Sequence, residues 1–257
     1  MMKDLFSLQG RVALITGGSR GIGKMIAAGF LSQGGKVYIS ARKGGALEET
    51  AKELSKLGSC TPIVLDASGA EGAKKMADAY LKHEKKLDIL VNNAGAAWGA
   101  PFDEFPESGW DKVMDLNVKT PFFLTQALHG ALKAAATKAR PAKVINIASI
   151  DGLSVNPQET YSYAASKSGL IHLTKRMALR LIEDNIVVSA IAPGAFASDM
   201  NRAARDHGDA VAQAIPSKRI GEPEDMAGAA IFLASRAGDY VVGSTLIVDG
   251  GVTYARG

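Results

Sequence analysis

The chain has 257 residues, 47% hydrophobic and 22% charged, with a formal net charge of +4. This balance excludes a disordered chain, the 28 glycines follow no collagen-like period, and the single Cys60 cannot build an internal disulfide framework. Scattered basic residues argue against a nucleic-acid partner, and without about 18 successive uncharged apolar residues or a secretory pattern at Met1–Phe6, no membrane partner and a cytoplasmic location are expected.

Short apolar runs recur between amphipathic helical stretches at residues 11–16, 36–41, 61–66, 87–93, 143–148, 186–192 and 244–249. Val12-Ala13-Leu14-Ile15 and Asp88-Ile89-Leu90-Val91 read as apolar on both pleat faces, as in parallel strands covered on each side by helices. The expected fold is α/β, a doubly wound (Rossmann) sheet of seven parallel strands with helices on both faces. No linker or internal repeat divides the sequence, so residues 1–257 read as one dinucleotide-binding domain. Residues 134–142 read as a frayed helix end and surface connection, whereas the polar segment 195–219 follows a strand end and is placed to act as a substrate lid.

The first strand runs directly into Thr16-Gly17-Gly18-Ser19-Arg20-Gly21-Ile22-Gly23 and then a helix. Glycine removes the Cβ that would hold a pyrophosphate off the backbone, and the helix start offers unpaired N–H groups with partial positive charge. In this context Gly17, Ser19, Arg20, Gly21, Ile22 and Gly23 are candidate dinucleotide contacts rather than parts of an ordinary tight turn. An acid at the end of the second strand would favour unphosphorylated ribose, but Val37–Lys43 contains none. Arg42 stands there instead, and with Arg20 it favours NADP(H) over NAD(H), because guanidinium groups pair well with phosphate oxygens.

Farther on, Tyr163 and Lys167 are four apart at the start of a long helical stretch, which puts phenol and ammonium on one face. A unit charge about 5 Å away at an effective dielectric near 20 favours the phenolate by roughly 3 kcal/mol, moving tyrosine toward the range of a general acid or base. Tyr161 is followed four residues later by Ala165 and has no such partner. Ser149 ends the fifth strand, facing the ligand crevice of such a sheet, and could donate to a carbonyl oxygen or merely cap the turn before Asp151-Gly152.

In this order, Thr16-Gly17-x-x-x-Gly21-Ile22-Gly23, Asp66, Asn92-Asn93-Ala94-Gly95, Asn117, Ser149, Tyr163-x-x-x-Lys167, Pro193-Gly194 and Asp249-Gly250-Gly251 resemble the short-chain dehydrogenase/reductase family over nearly the whole chain. The resemblance implies Tyr163 as general acid or base, Ser149 as the group orienting the carbonyl, and Asn117 as the holder of a water in the proton relay. It gives Lys167 two tasks, binding the nicotinamide ribose and lowering the tyrosine pKa. It also places Asp66 beside the adenine, Asn93, Ala94 and Gly95 along the cofactor cleft, and Pro193, Gly194 and Ser198 toward the nicotinamide. No metal is implied.

Trp98, Leu153, Phe196 and Met200 are candidate substrate contacts, an apolar set that suits an acyl chain or hydrophobic ketone better than a free sugar. The segments Trp98-Gly99-Ala100, Ser108-Gly109-Trp110 and Val144-Ile145-Asn146-Ile147 are most similar to 3-oxoacyl thioester reductases of the rhamnolipid-associated branch. NADPH-dependent reduction of a 3-oxoacyl thioester is therefore expected, with a polyol, sugar or steroid dehydrogenase as the alternative enzyme and a nucleotide-sensing regulator as the alternative without catalysis. Relatives imply a homotetramer built on the helices spanning Asn117–Ala136 and Tyr163–Ile182. Carrier-protein-dependent relatives place arginines on these helices where this chain has Gly130 and Leu179, which argues against docking of an acyl carrier protein.

Overall fold

The computed structural model describes residues 4–255, so the extreme ends of the expected 1–257 domain, including Met1–Lys3 of the N-terminal reading, lie outside the described residues. Strands and helices alternate: β1 (Val12–Thr16), α1 (Gly21–Ser32), β2 (Lys36–Ala41), α2 (Gly44–Leu54), β3 (Cys60–Val64), α3 (Gly69–Leu81) and β4 (Ile89–Asn92). Next come α4 (Glu107–Met114), α5 (Thr120–Ala127), α6 (His129–Ala135), β5 (Ala142–Ile147), α7 (Tyr161–Leu181) and β6 (Ile186–Pro193). The lid segment holds α8 (Arg202–Asp206) and α9 (Gly208–Gln213), and α10 (Pro223–Ala234) and β7 (Thr245–Val248) complete the domain.

The strands form one seven-stranded sheet in the order β3-β2-β1-β4-β5-β6-β7, and every pairing is parallel. Alternation along β1 explains the two cores. Ala13 and Ile15 pack on one side with Ile26 and Phe30 of α1 and Met226 of α10, while Leu14 packs on the other with Met76, Leu124 and Met177 from α3, α5 and α7. Each of the larger buried side chains contributes roughly 1.5–3 kcal/mol relative to exposure. The order reverses between β1 and β4, and ligands bind at such a switch point beyond the carboxyl ends of the strands.

The expected and observed strands agree to within two residues at each end, the fourth pairing only from Ile89. Residues 134–142 contain the end of α6, a turn closed by the Thr137–Arg140 bridge, and the first residue of β5. Among the described residues no helix is long and apolar enough to cross a membrane.

Candidate active site

Along the carboxyl edge of the sheet runs one cleft of about 630 Å³, from the turn after β1, past the ends of β2 and β3, to the ends of β4, β5 and β6. Its floor at β1 depends on two close approaches. Gly17 has φ +68°, and a Cβ there would meet Asn93 Nδ2 at 2.9 Å; a Cβ on Gly23 would come within 2.5 Å of the same nitrogen. Without them the turn closes on Asn93, whose amide donates to the Thr16 and Gly17 carbonyls at 2.8 and 3.1 Å. The Thr16 hydroxyl accepts from the Asn93 and Ala94 N–H groups, each at 3.0 Å, and so ties the end of β4 to that of β1. No side chain caps α1 and its first turn carries no acid, which leaves its positive end available to an anion.

The cations lie where a dinucleotide would need them. Arg42, at the end of β2, is 3.9 Å from Asp66, whose Oδ1 accepts from the Ser68 N–H and hydroxyl. Arg20 is exposed and pairs with Asp199 of the lid, which also pairs with Arg205. A backbone cradle that side chains would fill, an open helix start and two arginines on the rim fit a dinucleotide with an additional ribose phosphate.

At the other end Ser149 leaves β5 almost fully buried, its Oγ accepting the Asp151 N–H at 3.2 Å. The capping task and a place on the cleft wall thus coexist in one residue. Tyr163 and Lys167 reach the same wall from α7, and the Lys167 ammonium sits 5.5 Å from the Tyr163 ring centroid while donating to the Ile147 carbonyl at 2.7 Å. Burial pushes the Tyr163 phenol up to about 12, opposed by the Ser149 hydroxyl and reinforced by the Asp151 carboxylate. Burial takes Lys167 down to about 8, with Asp151 acting in the opposite direction. Here the expectation from spacing is corrected: desolvation dominates both groups and raises the phenol instead of lowering it, a cost that sequence separation does not reveal.

Every residue expected at the site lines the cleft except Gly23, Asn117, Trp98 and Leu153. Gly23 stands behind the loop against the Gly17 carbonyl. Asn117 lies in a π-helical turn, Asp115–Lys119, and its amide clamps Ala96, accepting the N–H at 2.8 Å and donating to the carbonyl at 2.9 Å, with Ser166 Oγ at 3.0 Å. Trp98 packs on Gly109 of α4 with the Lys112 ammonium 5.3 Å from its ring centroid, and Leu153 is partly exposed outside the cleft lining; neither substrate expectation matches its position. Phe196 and Met200 do line the cleft. The sequence reading overlooked Asp151, Asn156, Gln158 and Thr160 on the loop between β5 and α7, although a polar loop directly after Ser149 was a usable signal.

The family model described as Enoyl-(Acyl carrier protein) reductase matches residues 17–253. The chain belongs to the short-chain dehydrogenase/reductase family. Among short-chain dehydrogenases/reductases, it is 45% identical over 253 residues to the rhamnolipids biosynthesis 3-oxoacyl-[acyl-carrier-protein] reductase of Pseudomonas aeruginosa, covering 97% of this chain and 99% of that one. The solved Pseudomonas aeruginosa RhlG/NADP active-site complex superposes with a TM-score of 0.94 at 45% identity, again covering 97% and 99% of the two chains. A gluconate 5-dehydrogenase from Burkholderia cenocepacia, solved with NADP and tartrate, superposes with a TM-score of 0.90 at 34% identity over 100% of both chains.

Proposed function

We propose that this short-chain dehydrogenase/reductase uses NADPH to reduce a ketone to a secondary alcohol, with a 3-oxoacyl thioester as the substrate class. The observation that carries the reading is a single cleft with the glycine cradle and Arg20 and Arg42 at one end and Ser149, Tyr163 and Lys167 at the other. The similarity to the 3-oxoacyl reductase of Pseudomonas aeruginosa and to its NADP complex supports both the substrate class and the cofactor.

The glycine turn and α1 would hold the pyrophosphate, Arg20 and Arg42 the ribose phosphate, and Lys167 the nicotinamide ribose. Bound NADPH supplies the hydride that the carbonyl carbon receives. Ser149 donates a hydrogen bond to the carbonyl oxygen, which fixes the orientation of the ketone. Tyr163 gives its proton to the same oxygen as negative charge develops there. The charged form of Lys167 then offsets the phenolate that remains. Asn117 acts behind these groups, holding the Ala96 backbone and, by family resemblance, a water of the proton relay.

We place the acyl group on a small carrier or in a free ketone rather than on a docked acyl carrier protein. Gly130 and Leu179 provide no cation, and the nearby Lys133, Arg180 and His129 converge on Asp184 at 2.7, 3.1 and 3.1 Å. The exposed apolar Phe122 on α5, Leu179 on α7 and Ile182 just after it support a homotetramer. An NADPH-oxidation screen across 3-oxoacyl thioesters, sugar ketones and steroid ketones, repeated with NADH, tests the reading. Turnover of a sugar ketone but no thioester would replace the substrate class, and no NADPH-linked turnover would remove the enzymatic reading.

A further inference from the structure

The loop from β5 to α7 brings a carboxylate to the reacting end of the cleft. Asp151 lies two residues after Ser149, and both line the wall beside Tyr163. Its position is fixed from several directions. The backbone N–H donates to Ser149 Oγ at 3.2 Å, and Oδ1 accepts from Asn156 Nδ2 at 2.8 Å. The following Gly152 rests on α7 so closely that a Cβ would meet the Lys167 carbonyl carbon at 2.7 Å, and Ser168 Oγ donates to the Gly152 carbonyl at 2.9 Å.

No cation pairs directly with this charge. Among the described residues no Lys, Arg or His nitrogen lies within 4.0 Å of Asp151, and Oδ2 accepts no protein hydrogen bond. Of the cations along the cleft, Arg20, Arg42 and Lys43 belong to the opposite end and Arg202 is an exposed residue on α8; Lys167 is the one cation of this wall that Asp151 attracts, and it is buried, held on the Ile147 carbonyl and not in contact with the carboxylate. Asp199, the lid acid on the wall, is already paired with Arg20 and Arg205.

We infer that Asp151 is a specificity-determining charge filter, which turns away ketones carrying a carboxylate close to the reacting carbon and admits neutral ones such as thioesters, esters and amides. The inference rests on the ketone-reductase reading above and narrows its substrate class. A second carboxylate about 6 Å away at an effective dielectric near 20 meets a repulsion large enough, after screening, for roughly tenfold or greater discrimination. A neutral acyl thioester meets none. The same field opposes formation of the Tyr163 phenolate, and a substrate bringing a further negative charge would add to that opposition.

Ethyl acetoacetate and acetoacetate provide a matched neutral and anionic pair for NADPH-linked turnover. In Asp151→Asn, an isostere whose amide oxygen can still accept from Asn156, the kcat/KM ratio favouring the ester is expected to shrink by about tenfold, chiefly through faster reduction of acetoacetate. Asp151→Glu keeps the charge and should keep the preference, a rescue that a purely structural role would not give. Turnover of both compounds with the same ratio in wild type and Asp151→Asn overturns the filter alone. Equal loss in Asp151→Asn and Asp151→Glu also overturns it, by assigning the residue to loop structure. Turnover of neither compound, nor of any other ketone, by wild type overturns the reductase reading and the filter with it.

Discussion

Tyr163 and Lys167 share a helix face, yet their environments give them opposite problems. Burial holds the phenol protonated, raising it to about 12, and loosens the proton of the lysine, lowering it to about 8, so that the lysine still carries its charge at neutral pH. The tyrosine is thereby kept as a proton donor at neutral pH, the form that carbonyl reduction consumes. Tyr163→Phe is expected to lower kcat by at least about a thousandfold while leaving NADPH affinity within about twofold, as read by fluorescence titration. The lysine makes a second expectation at the same scale. An unfolded lysine keeps its proton to an ordinary value of 10.5 and the folded one only to about 8, so between these values the unfolded state binds more protons and stability rises with pH. Below both values the buried charge costs roughly 3 kcal/mol. Lys167→Met should therefore stabilise the protein at pH 7 by up to about that amount, flatten the rise between pH 8 and 10, and lose turnover; urea melts across this range measure it. Neither value was legible in the Tyr-x-x-x-Lys spacing, because spacing sets proximity and the surrounding loop sets burial.

At the scale of elements, the ends of β1 and β2 and the lid compete for the same arginines. Arg20 at the start of α1 is held by Asp199, a pair exposed by 73% and 39% and so worth no more than about 1 kcal/mol. A phosphate accepting bonds from Arg20 has to displace that carboxylate. Asp199→Asn should thus tighten NADPH by up to about fivefold, an effect that fades as salt is raised. Replacing Arg20 and Arg42 together by Ala should weaken NADPH by about tenfold or more and NADH by less than about twofold, as measured by their separate dissociation constants. The arginines could be found in the sequence because Arg42 directly follows β2 and Arg20 lies in the glycine turn between β1 and α1. Their lid partner could not, since α8 and α9 have only 5 and 6 residues, too few to mark a periodic pattern, and 195–219 reads as loop. Trp98 failed for a related reason: its apolar neighbours say nothing of the bend that turns it onto Gly109 of α4 rather than into the cleft.

Across the whole molecule the two edges of the sheet are charged for different purposes. The parallel order was legible because buried strands such as Val144-Ile145 and Val187-Val188 are apolar on both faces, and the cleft followed from the carboxyl-edge rule. The opposite edge was not legible, because nothing in the run 143–148 marks its first residue, Lys143, as a buried charge. Lys143 is 1% exposed, with its ammonium 2.8 Å from Asp239 in an ion pair lacking hydrogen-bond alignment. This pair ties β5 to the segment before β7, next to Arg11, whose guanidinium donates to the Pro141 carbonyl at 2.9 Å. Burial lowers the Lys143 pKa and Asp239 opposes that shift, so loss of the acid alone would strand a buried cation. Asp239→Asn is expected to cost about 3–5 kcal/mol in urea unfolding, whereas adding Lys143→Met to it should recover most of the loss. Both proteins should bind NADPH as wild type does while folded, because the pair lies at the amino edge of the sheet and the cradle at the carboxyl edge. A large change in NADPH affinity in the double variant would mean that the two edges are coupled through β5.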